Sequence, residues 1–216
     1  GGPSAVINSS VCGAAQEALR GESIGEIYVM LHGIQGLLRE DLIDLRREDP
    51  TVIEGLKRTP SAALGSCRYR LTDDDYDRVL DVCRAHEIRY FFYAGGNDTM
   101  HNTAEIGRRA AAVGYELRVI GIPKTIDNDL PHTDHTPGFG SAARYQAVMC
   151  MDITRDTRAL RYTESVKIVE TMGRNAGWLT AATALAEDYA PDLIYVPERA
   201  FVKDRFLADV ESAYRK

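Results

Sequence analysis

The sequence, 216 residues long, lacks several features that would place it at once. No apolar run is long enough to span a bilayer, and no basic-then-apolar leader pattern occurs. Neither a membrane segment nor a secretory address is therefore expected, and the expected location is the cytoplasm. Cysteine is sparse: Cys12, Cys67, Cys83 and Cys150 stand far apart with no C-x-x-C pair. Neither a disulfide framework nor a thiolate zinc site is expected, and buried free thiols suit a reducing compartment. Positive charge is in deficit, with 26 Lys and Arg against 32 Asp and Glu, a net −6. That balance argues against nucleic acid held by general electrostatics, so any anionic ligand has to be small and locally gripped.

What the chain does have is alternation. Apolar runs bounded by turn residues, EIYVML (26–31), RYFFYA (89–94), ELRVIGI (116–122), SVKIVET (165–171) and DLIYVP (192–197), are separated by amphipathic stretches near 8–20, 72–86, 100–113, 140–158, 176–187 and 203–215. Strands that alternate with helices predict parallel sheets with helices on both faces. The expected fold class is α/β, Rossmann-like and three-layered, in two lobes covering 1–136 and 137–216. The chain opens on Gly1-Gly2 with a helix pattern directly behind, where such a turn normally follows a strand, and it ends inside the helix pattern FLADVESAYRK. It reads as an internal segment, cut at both ends, with the first strand missing. The stretch 32–71 reads as irregular. Thr72 and Asp75 have capping-box spacing, and Asp73 and Asp74 suit the positive end of a helix dipole. Trp178 is expected in the core, and His132 and His135, which lack metal-ligand spacing, on an exposed loop.

Glycine marks the helix starts: Gly1-Gly2, GGNDT (95–99) and TPGFGS (136–141). Such turns leave backbone N–H groups facing outward, ready for an anion. The stretch GIPKTIDNDL (121–130) sets Lys124, Asp127 and Asp129 close together after an apolar run. Pro123, with its fixed φ and no N–H, ends that strand. Loops after parallel strands gather at one sheet edge, where ligands bind, so GGNDT and PKTIDND are expected to face one cleft. A carboxylate there accepts a hydroxyl proton and a lysine neutralises phosphoryl charge, which is the division of labour of phosphoryl transfer.

GGNDT, PKTIDND, TPGFGSAA and MGRNAGW, in that order, resemble the phosphofructokinase family, over Gly1 to about Glu198. The resemblance implies magnesium-dependent phosphoryl transfer to the 1-hydroxyl of fructose 6-phosphate by a homo-oligomer, dimer or tetramer. It implies that Asp127 is the base, that Asp129 supports it, and that Arg174 places a guanidinium near the reacting phosphate. Thr125, Ile126, Met172 and Gly173 match acceptor-site positions. Gly2, Gly96, Thr99 and Arg68 match the donor side, Arg68 being open between a phosphate contact and none. Asn97 stands where the family usually has a metal-holding aspartate; its neutral carbonyl is a weaker ligand for magnesium.

The donor is read from two departures. ATP-using relatives carry Gly-Gly-Asp-Gly at Gly95–Asp98 and Pro-Gly-Thr at Pro123–Thr125. In the pyrophosphate-using branch, an acid at the position of Asp98 takes the place of ATP's α-phosphate, and a lysine at that of Lys124 binds the transferring phosphate. A carboxylate a few ångströms from a phosphate costs on the order of several kcal/mol in a partly dehydrated site. The resemblance thus implies pyrophosphate as donor. An ATP-dependent enzyme and a non-catalytic regulatory paralogue that binds sugar phosphate remain as alternatives. The first loop keeps Asn8 but has Ala5 and Val6 for the family's Pro-Gly, and Ser165 stands where some bacterial ATP enzymes contribute an interface arginine. Glu198 matches an effector-pocket glutamate of bacterial ATP enzymes, a regulation not expected here.

Overall fold

A computed structural model describes residues 2–164 and 166–215, so Gly1 and Ser165 from the motifs above, and Lys216, lie outside the described residues. The chain packs as two compact units, Gly1–Lys124 and Thr125–Lys216. This is a division by packing, whereas the one expected after residue 136 is a division by ligand.

The first unit runs α1 (Ala5–Arg20), β1 (Tyr28–Met30), α2 (Ile34–Arg39), β2 (Leu42–Asp44), α3 (Pro50–Gly55), α4 (Asp73–Ala85), β3 (Tyr90–Gly95), α5 (Asn97–Ala112) and β4 (Arg118–Pro123). The expected α/β alternation is clearest in its second half. Strands β3 and β4 pair in parallel from Tyr90↔Arg118 to Gly95↔Pro123, with α5 as the crossover between them. Side chains alternate along β3, and its inward pair Phe91 and Tyr93 packs with Val79, Leu80 and Val82 of α4 and Ile106 and Ala110 of α5. Helix α4 opens with the predicted capping box: the Thr72 side chain accepts from the Asp75 N–H, and the Asp75 carboxylate accepts from the Thr72 N–H at 2.8 Å. That bond is the main reason Asp75's carboxyl is held below the ordinary carboxylate range.

One expected strand belongs elsewhere. Strand β1 does not join the parallel pair but pairs antiparallel with β2, which lies in the stretch read as irregular. The reversal is local. Helix α2 ends on Glu40 in the left-handed region (φ 62°), its N–H bonding back to Gly36 and Leu37, and Leu31 N–H then meets the Asp41 carbonyl at 3.0 Å. A second core of Cys12, Ala15, Leu45 and Ile53 forms between α1 and this hairpin-and-helix segment.

The second unit holds α6 (Phe139–Ala159), α7 (Trp178–Ala182), a 3-10 stretch Thr183–Tyr189 and α8 (Lys203–Tyr214). The strands expected at 165–171 and 192–197 carry no ladder among the described residues. Val166, Ile168 and Val169 are 51%, 76% and 50% exposed. β-branched residues make a strand only when a neighbour supplies hydrogen bonds and packing, and neither is present for them among the described residues. The small core here is Phe139, Ala143, Leu179 and Ala182, with Ile126 packed against it. Trp178, expected inside, is 53% exposed and makes an edge contact with Phe139 of this core. As the first residue of α7 it faces out while Leu179 turns in.

The cysteines are free, as expected, two buried and two half-buried. Burial pushes the Cys83 thiol up to about 11, which keeps it protonated and unreactive. No helix among the described residues is long and apolar enough to cross a membrane.

Candidate active site

In the first unit, β3 and β4 end side by side, and the two loops that follow them leave the sheet as neighbours. Lys124 N–H donates to the Gly95 carbonyl at 2.9 Å. Helix α5 begins immediately after Gly96, which has no side chain with which to cap it, so its first-turn N–H groups face outward. Asn97 and Asp98 are both exposed on that first turn. An anion would ordinarily be favoured at such a helix start, and the Asp98 carboxylate already supplies negative charge there. Thr99 is different: it is 3% exposed, and its hydroxyl occupies the space that a Cβ on Gly95 would need. It sits beneath the loop and requires glycine above it.

Lys124 is the notable cation. Its side chain is 94% buried, and the ammonium donates to the Gly2 carbonyl at 2.8 Å across most of the unit's sequence. The Arg68 guanidinium lies 3.6 Å from the position a Cβ on Gly2 would take. Gly2, Gly95, Gly96, Lys124 and Arg68 are thus brought together, two cations beside a glycine turn and a helix start. Such a place suits a compact anion.

Asn8 holds part of this arrangement. It is 2% exposed, its amide donates to the Thr59 and Ser61 carbonyls at 2.8 and 3.0 Å, and its oxygen accepts from Ala63 N–H at 2.8 Å. The segment it grips leads on to Arg68. In the sequence Asn8 stands out only as part of a motif; the available signal is a polar side chain on the apolar face of an amphipathic helix.

The oxygen donors near the start of α5, the Asn97 amide and the Asp98 carboxylate, are too few to cage a metal, and among the described residues no group of three His, Cys, Asp or Glu has that geometry. This donor set fits magnesium, which keeps several waters and binds through one or two protein oxygens together with phosphate.

In the second unit, the loop that carries Asp127 and Asp129 is laced to the segment before α6. Thr125 N–H donates to the Pro137 carbonyl at 3.2 Å, and the Thr125 hydroxyl accepts from Asp127 N–H at 3.1 Å, which fixes the direction in which Asp127 leaves the backbone. Ile126 sinks into the Phe139–Leu179 core. Between the two acids stands Asn128, left-handed (φ 58°) and 7% exposed. Its oxygen accepts from Thr136 N–H at 2.8 Å and its amide donates to the Asp134 carbonyl at 3.1 Å. The Thr136 hydroxyl in turn donates to the Thr125 carbonyl at 2.7 Å. Asn128 and Thr136 were missed as site-building residues; an asparagine flanked by acids, tolerant of the left-handed region, was the available signal.

Met172 and Arg174 are exposed, on either side of Gly173 at φ 112°. The segment ends at α7, whose Leu179 lies in the same core as Ile126. The Asp127 loop and the Met172–Arg174 loop are therefore anchored on one small cluster, a carboxylate and a guanidinium presented by loops with a common base.

Known proteins are similar to this chain along its length. The profile of the phosphofructokinase family matches residues 1–216. A protein of Xanthomonas campestris pv. campestris named pyrophosphate–fructose 6-phosphate 1-phosphotransferase is 47% identical over 97% of this chain and 52% of its own length. One of the same name from Halomonas elongata is 43% identical over 100% of this chain and 54% of its own. The crystal structure of a pyrophosphate-dependent phosphofructokinase from Marinobacter aquaeolei superposes with a TM-score of 0.88 at 43% identity, covering 100% of this chain and 56% of that one. The chain spans about half the length of the curated relatives it matches. With the family profile matched from end to end, and with relatives well above 30% identity along nearly all of its residues, the chain belongs to the phosphofructokinase family.

Proposed function

We propose that this chain carries the donor side and part of the acceptor side of a pyrophosphate-dependent 6-phosphofructokinase. In the forward direction the 1-hydroxyl oxygen of fructose 6-phosphate attacks one phosphorus of pyrophosphate and the bridging P–O bond breaks. Orthophosphate leaves, and the hydroxyl proton passes to Asp127. Asp129 supports that base. Lys124 and Arg174 offset charge on the phosphoryl oxygens, which is where most of the rate of such a transfer arises. Thr125, Ile126, Met172 and Gly173 hold the acceptor, while Gly2, Gly96, Thr99 and Arg68 shape the donor side. Magnesium would be held by Asn97 together with the donor's own oxygens and would supply charge neutralisation of the phosphates. Both sides of the reaction contain phosphoanhydride or phosphate species of modest energy difference, so the transfer is reversible. The same reading carries a homo-oligomer, dimer or tetramer, in the cytoplasm.

The observation that carries the donor assignment is the nearly buried Lys124, its ammonium on the Gly2 turn and its backbone N–H on Gly95, just before α5. A short donor has no base or ribose to position it, so fixed charge at the reacting phosphates has to do so. The names of the relatives from Xanthomonas and Halomonas support the same donor. The test is orthophosphate formation by the full-length protein from fructose 6-phosphate with pyrophosphate as sole phosphoryl donor. Turnover is expected; turnover with ATP alone would favour the nucleotide-using reading, and an inert protein that still binds sugar phosphate would favour a regulatory one.

A further inference from the structure

Glu198 lies in a segment without helix or ladder, next to Pro197, and is exposed. Its carboxylate is nevertheless committed: Oε1 accepts from the buried N–H of Gly177 at 2.8 Å, at the N-cap position of α7. The approach is close as well as directed. A Cβ placed on Gly177 would meet Val196 Cβ at 2.6 Å and Glu198 Oε2 at 2.8 Å, so residues 196–198 press directly on backbone that only glycine leaves open. Gly177 closes the loop that begins at Met172. That loop is tied at its base by a hydroxyl-to-hydroxyl bond between Thr171 and Thr180. It is folded tightly at Gly173, where a Cβ would sit 2.5 Å from the Ala176 carbonyl. Thr171–Thr180 thus joins the ends, Gly173 sets the turn, and Glu198 holds the final N–H from outside.

We propose that Glu198 is a positioning residue that preorganises the Met172–Arg174 loop for the acceptor, acting through Gly177 and not as part of an effector pocket. Deepening the function proposed above, this role rests on that reading. A carboxylate that accepts a backbone N–H makes a charge-assisted hydrogen bond, stronger than a neutral one. Here it fixes the backbone three residues from the guanidinium that has to meet a phosphate oxygen. Misplacement of such a group by about 1 Å is enough to cost roughly 100-fold in rate.

Two variants and two readouts test it. Glu198→Ala removes the acceptor, and Glu198→Gln keeps an accepting oxygen without the charge. Trp178, the only tryptophan of the sequence, follows Gly177 directly and reports on the loop without any need for turnover. Glu198→Ala is expected to raise acrylamide quenching of Trp178. It is also expected to lower kcat/KM for fructose 6-phosphate about tenfold while leaving KM for pyrophosphate within about twofold, the size set by one charge-assisted hydrogen bond. Glu198→Gln is expected to restore most of both. Unchanged Trp178 quenching in Glu198→Ala would overturn the proposal, as would losses of equal size for the two variants or for the two substrates. If the full-length protein transfers no phosphoryl group between pyrophosphate and fructose 6-phosphate, the proposed function fails, and the tryptophan readout alone decides on Glu198.

Discussion

At the scale of single residues, the proposed chemistry rests on a few side chains whose directions are set by unglamorous neighbours. Asp127 leaves its loop in a direction fixed by the Thr125 hydroxyl and by Asn128 directly behind it. Asp127→Asn keeps the shape but cannot take a proton. It should reduce kcat by roughly 100- to 10,000-fold while fructose 6-phosphate still binds, as read by calorimetry. A small loss would mean that the base lies elsewhere. Asn128→Ala should act by another route: it strands the Thr136 N–H and the Asp134 carbonyl and requires a left-handed alanine. A stability loss of about 1–3 kcal/mol is expected in urea unfolding, together with reduced turnover. Asp127 and Lys124 were legible in the sequence because charge gathered in a loop after an apolar run has few structural uses. Asn128, Thr136 and Glu198 were not, because their value lies in which backbone groups they reach, and that depends on residues distant in sequence.

At the scale of elements, local signals were sufficient wherever local physics decides. Helix α4 was written in its capping box and α5 in its glycine start, and both begin within a few residues of where the sequence placed them. The strands were less legible. RYFFYA and ELRVIGI became a parallel pair because α5 returns the chain alongside. The segments at 166–171 and 192–197 have equal β-propensity but no ladder, since a strand is a property of two segments and the sequence shows one at a time. The charge pattern of α5 gives a pH prediction. Hydrogen bonds from Arg108 and then Arg109 hold the Glu105 carboxyl at about 2, below its ordinary 4.5. A depressed carboxyl stabilises the fold in full above its unfolded value and loses that contribution as pH falls through its folded one. The stability gap between the unmodified chain and Glu105→Gln should therefore be level above about pH 4.5 and close as pH falls toward about 2, a comparison made by thermal unfolding across pH. The gap should be small, because helical ion pairs at the surface contribute little; Arg108 is largely exposed, while Glu105 and Arg109 are half-buried. A gap that widens toward low pH would contradict the assignment.

At the scale of the whole molecule, an α/β frame carries a glycine-rich sheet edge holding two cations, and the relatives from Xanthomonas and Halomonas are named for pyrophosphate and fructose 6-phosphate. The central proposal is that the charges of Asp98 and Lys124 select the smaller donor. The most direct measurement is the ratio of kcat/KM with pyrophosphate to that with ATP, in the unmodified chain, in Asp98→Gly and in Asp98→Gly with Lys124→Gly. Asp98 is exposed on the first turn of α5, so the single variant reads donor choice at a helix-stability cost of about 1 kcal/mol. The account predicts a large ratio for the unmodified chain. It predicts a fall in Asp98→Gly and a further fall in the double variant, together about 100-fold or more, as several kcal/mol of repulsion and lost attraction require. Preference for ATP in the unmodified chain, or a ratio that neither variant moves, would contradict it.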